Sequence, residues 1–468
     1  MAARQFRLGA AMTGVQSETD CAAGRLRLSM SWGLLGPATV ADERRVRTLG
    51  LGAAVRRFNE LAVPGLGSVW FGKQLVLATL GIHVAELARE AGSRVSNVEC
   101  ANAIEALACW LAIGRRDPQS GSDDRPDPRL RGTSKLPREH GMEFKAVRHR
   151  SFYVSQPMRM GTTSALQPLG LAAGGTRRFN ALEATDTGRA VLRAAFQGYS
   201  PANVPLVEHL LNWVRGAELK LRSERLISAL SPRMALESEA CAALRACLQA
   251  GSAGEPSVDT RRRRAALDWV DLSRRSPKRW AWADRPDPIE PDHWHDLQAG
   301  ANLFALRDQA LALLDAVEVQ VAATPRECLP MGAPLAQPVL VALNGLRTLA
   351  GSFLDLNHAD PDATDFCRQC VQLSDTAVLK HLVQRDGRVL RLAHNEVRPG
   401  GAFRRGAPPA PADDANEPSA APQPSAMDTL AWPSGTSFRI HNLFLLNLDL
   451  HNELDGWLQT HGRARLDT

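Results

Sequence analysis

One long apolar stripe constrains this chain more than any other feature. From Asp292 to Ala323 the sequence DHWHDLQAGANLFALRDQALALLDAVEVQVAA holds no proline, and Leu297, Leu303, Leu306, Ala310, Leu313, Leu314 and Val317 recur at the spacing of one helix face. At about 1.5 Å per residue the predicted helix is roughly 45 Å long. The chain that buries it is expected to be mainly α.

The same period returns elsewhere. SNVE places Ser96 and Glu99 as a reciprocal capping box. The helix it opens ends near Gly114 and turns Ala101, Ile104, Ala108 and Leu111 inward. Before it, VPGLGSVWFGKQLVLATLGIHVAELARE predicts a helix from near Ser68. Lys73, Gln74 and His83 sit in its middle, which points to a buried helix rather than a membrane span. Gly72 and Gly81 would admit a close neighbour, and Trp70, Trp110 and His83 read as core or boundary residues. Further helices are expected in NVPLVEHLLNWVRGAELKLRSERLISAL and in SPRMALESEACAALRACLQAG, the latter with Ser231 as cap, Pro232 in its first turn and Gly251 as its stop. Others follow past DTRRRRAALDWV, over 335 to 356, and once or twice within 364 to 385. GRVLRLAHNEV, 387 to 397, alternates as a short strand.

Composition shifts divide the chain. Residues 1–29 read as a flexible leader, with Met30 an alternative start; 30–114 as a helical domain; 115–141, rich in Pro, Gly and Asp, as a linker. Residues 142–285 form a basic domain and 286–398 a second helical one. Residues 399–436, with seven prolines between Pro408 and Pro433, read as a disordered linker. The last segment, 437–468, offers Ile440, Leu443, Leu446, Leu450, Leu454 and Trp457 at helical intervals, and needs its own chain or a partner to pack against. DRPDP at 284 to 288 repeats a string in the first linker, and both copies read as solvated connections.

At 468 residues the chain exceeds what one core usually serves. Only 6 of its 56 basic residues are lysine, a bias expected of a GC-rich, bacterial genome. Eight cysteines without framework spacing, and no apolar leader of signal-peptide type, place it in a reducing cytoplasm. Charge is unevenly placed: residues 141–285 hold 23 basic and 13 acidic side chains, residues 286–468 hold 14 and 23. A polyanion would be drawn to the middle and repelled by the last third.

Within that middle, SQPMRMGTTSALQPLGLAAGGTRRFNALEATDTGRAVLRAAF, 155 to 196, predicts a helix capped by Ser155 with Pro157 in its first turn, ending near Gln167. Two short strands around GGT follow, and then a helix capped by Thr185. The stretch resembles the winged-helix segment of MarR- and PadR-type bacterial regulators, through Gly170-Leu171 after the helix and Thr185 followed by Gly188-Arg189 at the close of the wing. The resemblance implies one or more winged-helix modules, with Arg159, Thr162, Thr163 and Ser164 facing a major groove and Arg177 and Arg178 reaching phosphates or a minor groove. GMEFKAVRHRSFYV, where that pattern has a helix, reads as extended. A protein-docking wing and a plain hairpin stay open as readings of the same stretch.

A second basic tract, TRRRRAALDWVDLSRRSPKRWAWADRP, interleaves Arg261, Arg262, Arg263, Arg264, Arg274, Arg275, Lys278 and Arg279 with Trp269, Trp280 and Trp282. Guanidinium groups pair with phosphates and indoles stack on bases, so this composition suits nucleic acid; a solvated helix end with tryptophans in the core is the plainer reading. Metal and cofactor sites are not expected. Cys367 and Cys370 form a lone CxxC with His381 and His394 downstream, and His293 and His295 stand two apart, a spacing that diverges on a helix. The chain contains no phosphate-binding glycine loop, nucleophile elbow or HExxH. The expectation is a non-enzymatic subunit of a larger bacterial DNA-acting complex, of defence or mobile-element type, gripping double-stranded DNA through its middle and docking protein through its acidic last third. An adaptor without DNA contact, or a divergent nuclease or metal enzyme, are the alternatives.

Overall fold

A computed structural model describes residues 45–114, 127–136, 141–409 and 432–461. The leader, most of the first linker and residues 410–431 of the second lie outside the described residues. The order is α1 Gly52–Ala62, α2 Gly72–Glu90, α3 Asn97–Ile113, α4 Phe144–Val147, α5 Met158–Leu166, β1 Ala172–Ala173, β2 Glu183–Ala184, α6 Asp186–Phe196, α7 Leu206–Val214, α8 Glu224–Leu230, α9 Ser238–Ala250 and α10 Ser257–Arg275. There follow α11 Pro291–Ala323, β3 Leu329–Pro330, α12 Gln337–Asp355, α13 Pro361–Gln372, α14 Asp375–Asp386, β4 Leu390–Ala393, β5 Glu396–Pro399, α15 Phe438–Asp449 and α16 Leu454–His461. The fold is mainly α, and none of the described helices is long and apolar enough to cross a membrane.

Two hydrophobic cores lie along α11. The first is built on the α2–α3 hairpin and collects α5 to α10, the start of α11 at Trp294 and Leu297, and α15. The second takes the rest of the α11 stripe, from Leu303 to Val321, with α1 and α12 to α14. A three-stranded antiparallel sheet of order β3-β5-β4 closes the second core, and His394 and Asn395, both at positive φ, make the tight turn between β4 and β5.

α2 is buried on nearly every side, Lys73 and Gln74 included. Its neighbour α3 comes close because a Cβ on Gly81 would lie 2.5 Å from Ala101. The Ser96 capping box is formed, with the Ser96 amide donating to Glu99 Oε2 at 2.8 Å. Two expected starts move. α9 begins at Ser238, because Ser231 and Pro232 belong to a turn before it, and α10 begins at Ser257 and takes in the whole arginine run. Gly251 does end α9, and Thr185 does cap α6. GMEFKAVRHRSFYV holds the one-turn helix α4 rather than an extended strand.

α15 packs on its own chain. Ile440, Leu443, Leu446 and Leu450 are all buried in the first core, and Ser437 and Arg439 bind Asn59 and Glu60 at the end of α1. Six of the described cysteines are buried and Cys328 is half-buried, all as free thiols.

Candidate nucleic-acid interface

The stretch from 155 to 196 forms a helix, a two-stranded antiparallel ladder and a second helix. α5 is not capped by Ser155. Its N-cap is Pro157, which has no side-chain acceptor, and the buried Glu105 of α3 supplies one instead, accepting from Met158 N at 2.7 Å and Arg159 N at 3.2 Å. Burial pushes the Glu105 carboxyl above its usual range.

One side of α5 faces inward. Gly161 O accepts from Ser68 N at 2.9 Å and Thr162 is fully buried, so Thr162 cannot face a groove. Arg159 is half-buried, with its Nε donating to Asn102 Oδ1 at 2.5 Å and its guanidinium 5.5 Å from the Phe179 ring. The outer stripe consists of Met160, Thr163, Ser164 and Gln167, whose spacing of three and four puts them on one face. Gln167 Nε2 donates to Gly174 O at 2.9 Å, tying that face to the loop between β1 and β2.

That loop stands out from the surface at residues 173 to 178, while its base is clamped. Asn97 Nδ2 donates to Phe179 O at 3.0 Å and Leu182 O at 2.7 Å, and Asn180 Oδ1 accepts from Val98 N at 2.9 Å. Arg177 and Arg178 are exposed and make no ion pair with any described residue. Arg150 is also exposed and lies near enough to help burial lower the Arg159 pKa, against Glu105, which raises it. The outer stripe of α5 and the loop that carries Arg177 and Arg178 are thus joined through Gln167.

The second tract does not form one face. Four consecutive residues span about 300° of a helix, so the run from Arg261 to Arg264 points in four directions. Arg263 is fully buried and paired with Glu255 at 2.5 Å, and Arg262 turns to Asp296 at 2.7 Å. Arg261 meets Glu290 at 3.1 Å, and Arg264 bonds Gln249 O at 2.9 Å. Arg274 and Arg275 share Asp271, and Arg274 also reaches Glu453 at 2.6 Å. Lys278 lies 4.2 Å from the Trp280 ring centroid, and Arg279 is exposed. The indoles are occupied too: Trp269 packs edge-on against Trp280, Trp294 and Trp432, while Trp280 and Trp282 donate to Ser273 Oγ and Ser434 O. These tryptophans fasten the segment after residue 431 to the core.

His295, Asp296 and His358 bring their ligand atoms within 4.8 Å of one another, a grouping that sequence spacing could not reveal across 62 positions. Their hydrogen bonds do not fit a metal. His358 Nδ1 accepts from Asp360 N at 3.1 Å, so its Nε2 carries the proton it donates to Asp296 Oδ1 at 3.1 Å, leaving no free lone pair on the ring. Asp296 Oδ2 is bound by Arg262, and with His358 this holds the Asp296 carboxyl below its usual range despite burial. His358 is unsuited to general base chemistry for the same reason. His293 diverges from His295 and bonds Ala62 O at 3.0 Å. Cys367 and Cys370 are buried on α13 with thiols pushed up to about 12, while His381 bonds Gln369.

Comparison with known proteins finds no matching family, no matching curated protein and no matching solved structure. Sequence reasoning missed Arg150 and Met160. Each is a single side chain whose exposure no local sequence pattern announces.

Proposed function

We propose that this chain is a non-enzymatic, cytoplasmic DNA-binding protein, and that α5 with the β1–β2 loop acts on duplex DNA as a winged-helix element of the MarR and PadR type does. It would serve as a subunit of a larger bacterial DNA-acting complex, of defence or mobile-element kind. The observation that carries this reading is the exposure of Arg177 and Arg178, unpaired among the described residues, on a loop hydrogen-bonded to the outer face of α5. Exposed guanidinium groups without carboxylate partners are suited to replacing counterions on a polyphosphate. The paired tract of α10 is left out of the contact, apart from what its exposed arginines add from a distance.

The acidic last third is assigned to a protein partner. Val319 on α11 and Val341 on α12 support this, being 70% and 59% exposed on neighbouring helices. Binding of a labelled duplex followed across ionic strength tests the main reading. Affinity is expected to fall steeply with salt, whereas an adaptor without DNA contact would show no such binding.

A further inference from the structure

We infer that Met160 reads the 5-methyl group of a pyrimidine in the major groove, so that the base preference of this protein is set by an apolar contact rather than by hydrogen bonds. The inference rests on the proposed duplex binding and adds which chemical group is recognised.

Seven large apolar side chains are exposed among the described residues, and Met160, at 46%, is the one on the outer stripe of α5, which Gln167 ties to the loop of Arg177 and Arg178. It leads the outer stripe of α5, followed at three, four and seven positions by Thr163, Ser164 and Gln167. The polar side chains on that stripe are partly engaged by the protein itself. The Thr163 hydroxyl donates its hydrogen to Arg159 O at 2.7 Å, and one hydrogen of Gln167 Nε2 goes to Gly174 O. Arg159 is held against Asn102 and Phe179. Ser164 is exposed, but a hydroxyl that both donates and accepts separates base pairs poorly.

The helix is placed firmly enough to read. Glu105 fixes its first turn and Ser68 its middle. A flexible, polarizable thioether in that position has one distinctive partner in the major groove, the methyl group that thymine carries and that uracil and unmodified cytosine lack.

The test uses the full chain and one duplex pool prepared twice, with thymine or with uracil at every such position. Burying one methyl group favours the thymine pool by about fourfold, and Met160→Ser is expected to bind both pools alike with its salt dependence unchanged. The substitution is at an exposed position, so folding is not at stake. If the native chain binds duplex in a salt-dependent way but does not prefer thymine, or if Met160→Ser keeps the preference, the inference is overturned and the DNA reading stands. If neither pool is bound at low salt, the DNA reading itself fails and the inference falls with it.

Discussion

His441 lies on α15 with both ring nitrogens buried and without a hydrogen-bond partner, 5.8 Å from the Trp457 ring. Burial lowers its pKa to about 4, and does the same to His293 on α11. An unfolded histidine titrates near 6.5, so between roughly pH 6.5 and 4 the unfolded chain binds more protons than the folded one. The stability these neutral histidines preserve is therefore complete above about pH 6.5, declines as the pH falls, and is lost below about 4. Each contributes up to about 3 kcal/mol to that decline. His441→Leu should consequently melt at a temperature closer to its neutral value when taken to pH 5 than the native chain does. Equal acid sensitivity in the two would mean that His441 charges freely in the fold. Single residues also mark the limit of what the sequence disclosed. Thr185 and Ser96 were legible as caps because a cap and the amide it accepts from lie three residues apart. Glu105 was not, since it caps α5 from 53 positions away, and the same distance problem hid His358 beside Asp296.

Helices were legible wherever one face had to be buried. The long stripe became α11, and the alternation at 387 to 397 became the β4–β5 hairpin with β5 running on to Pro399. The arginine run does not form one face, because composition carries no direction, whereas a helix sends neighbouring residues to different sides, and Arg263 ends in the core. Close packing between elements gives a direct check. Gly81 leaves no room for a side chain where α2 meets the backbone of α3, so Gly81→Val should destabilise the protein by about 1–3 kcal/mol in denaturant titration. A neutral result would show that α2 and α3 do not meet there.

Over the whole molecule, the described residues make one compact unit in which α11 contributes to both cores. Every described tryptophan lies in or against the first core, so indole fluorescence reports on that core, while circular dichroism reports on both. In the second core, the fully buried Arg47 joins Asp315, Glu318 and Asp386. Arg47→Met strands buried carboxylates and should cost about 3–5 kcal/mol. If the shared helix couples the cores, the fluorescence and dichroism transitions shift together; a shift in dichroism alone would show that the cores unfold separately. The proposed function depends on the opposite kind of arginine, exposed and unpaired among the described residues, on the β1–β2 loop beside α5. The most direct test is the slope of log affinity for duplex DNA against log salt, for the native chain and for Arg177→Ala combined with Arg178→Ala. If both side chains neutralise phosphates, the variant binds more weakly and its slope is shallower by about 2. Identical affinity and slope in the two proteins would contradict the assignment of this surface to DNA.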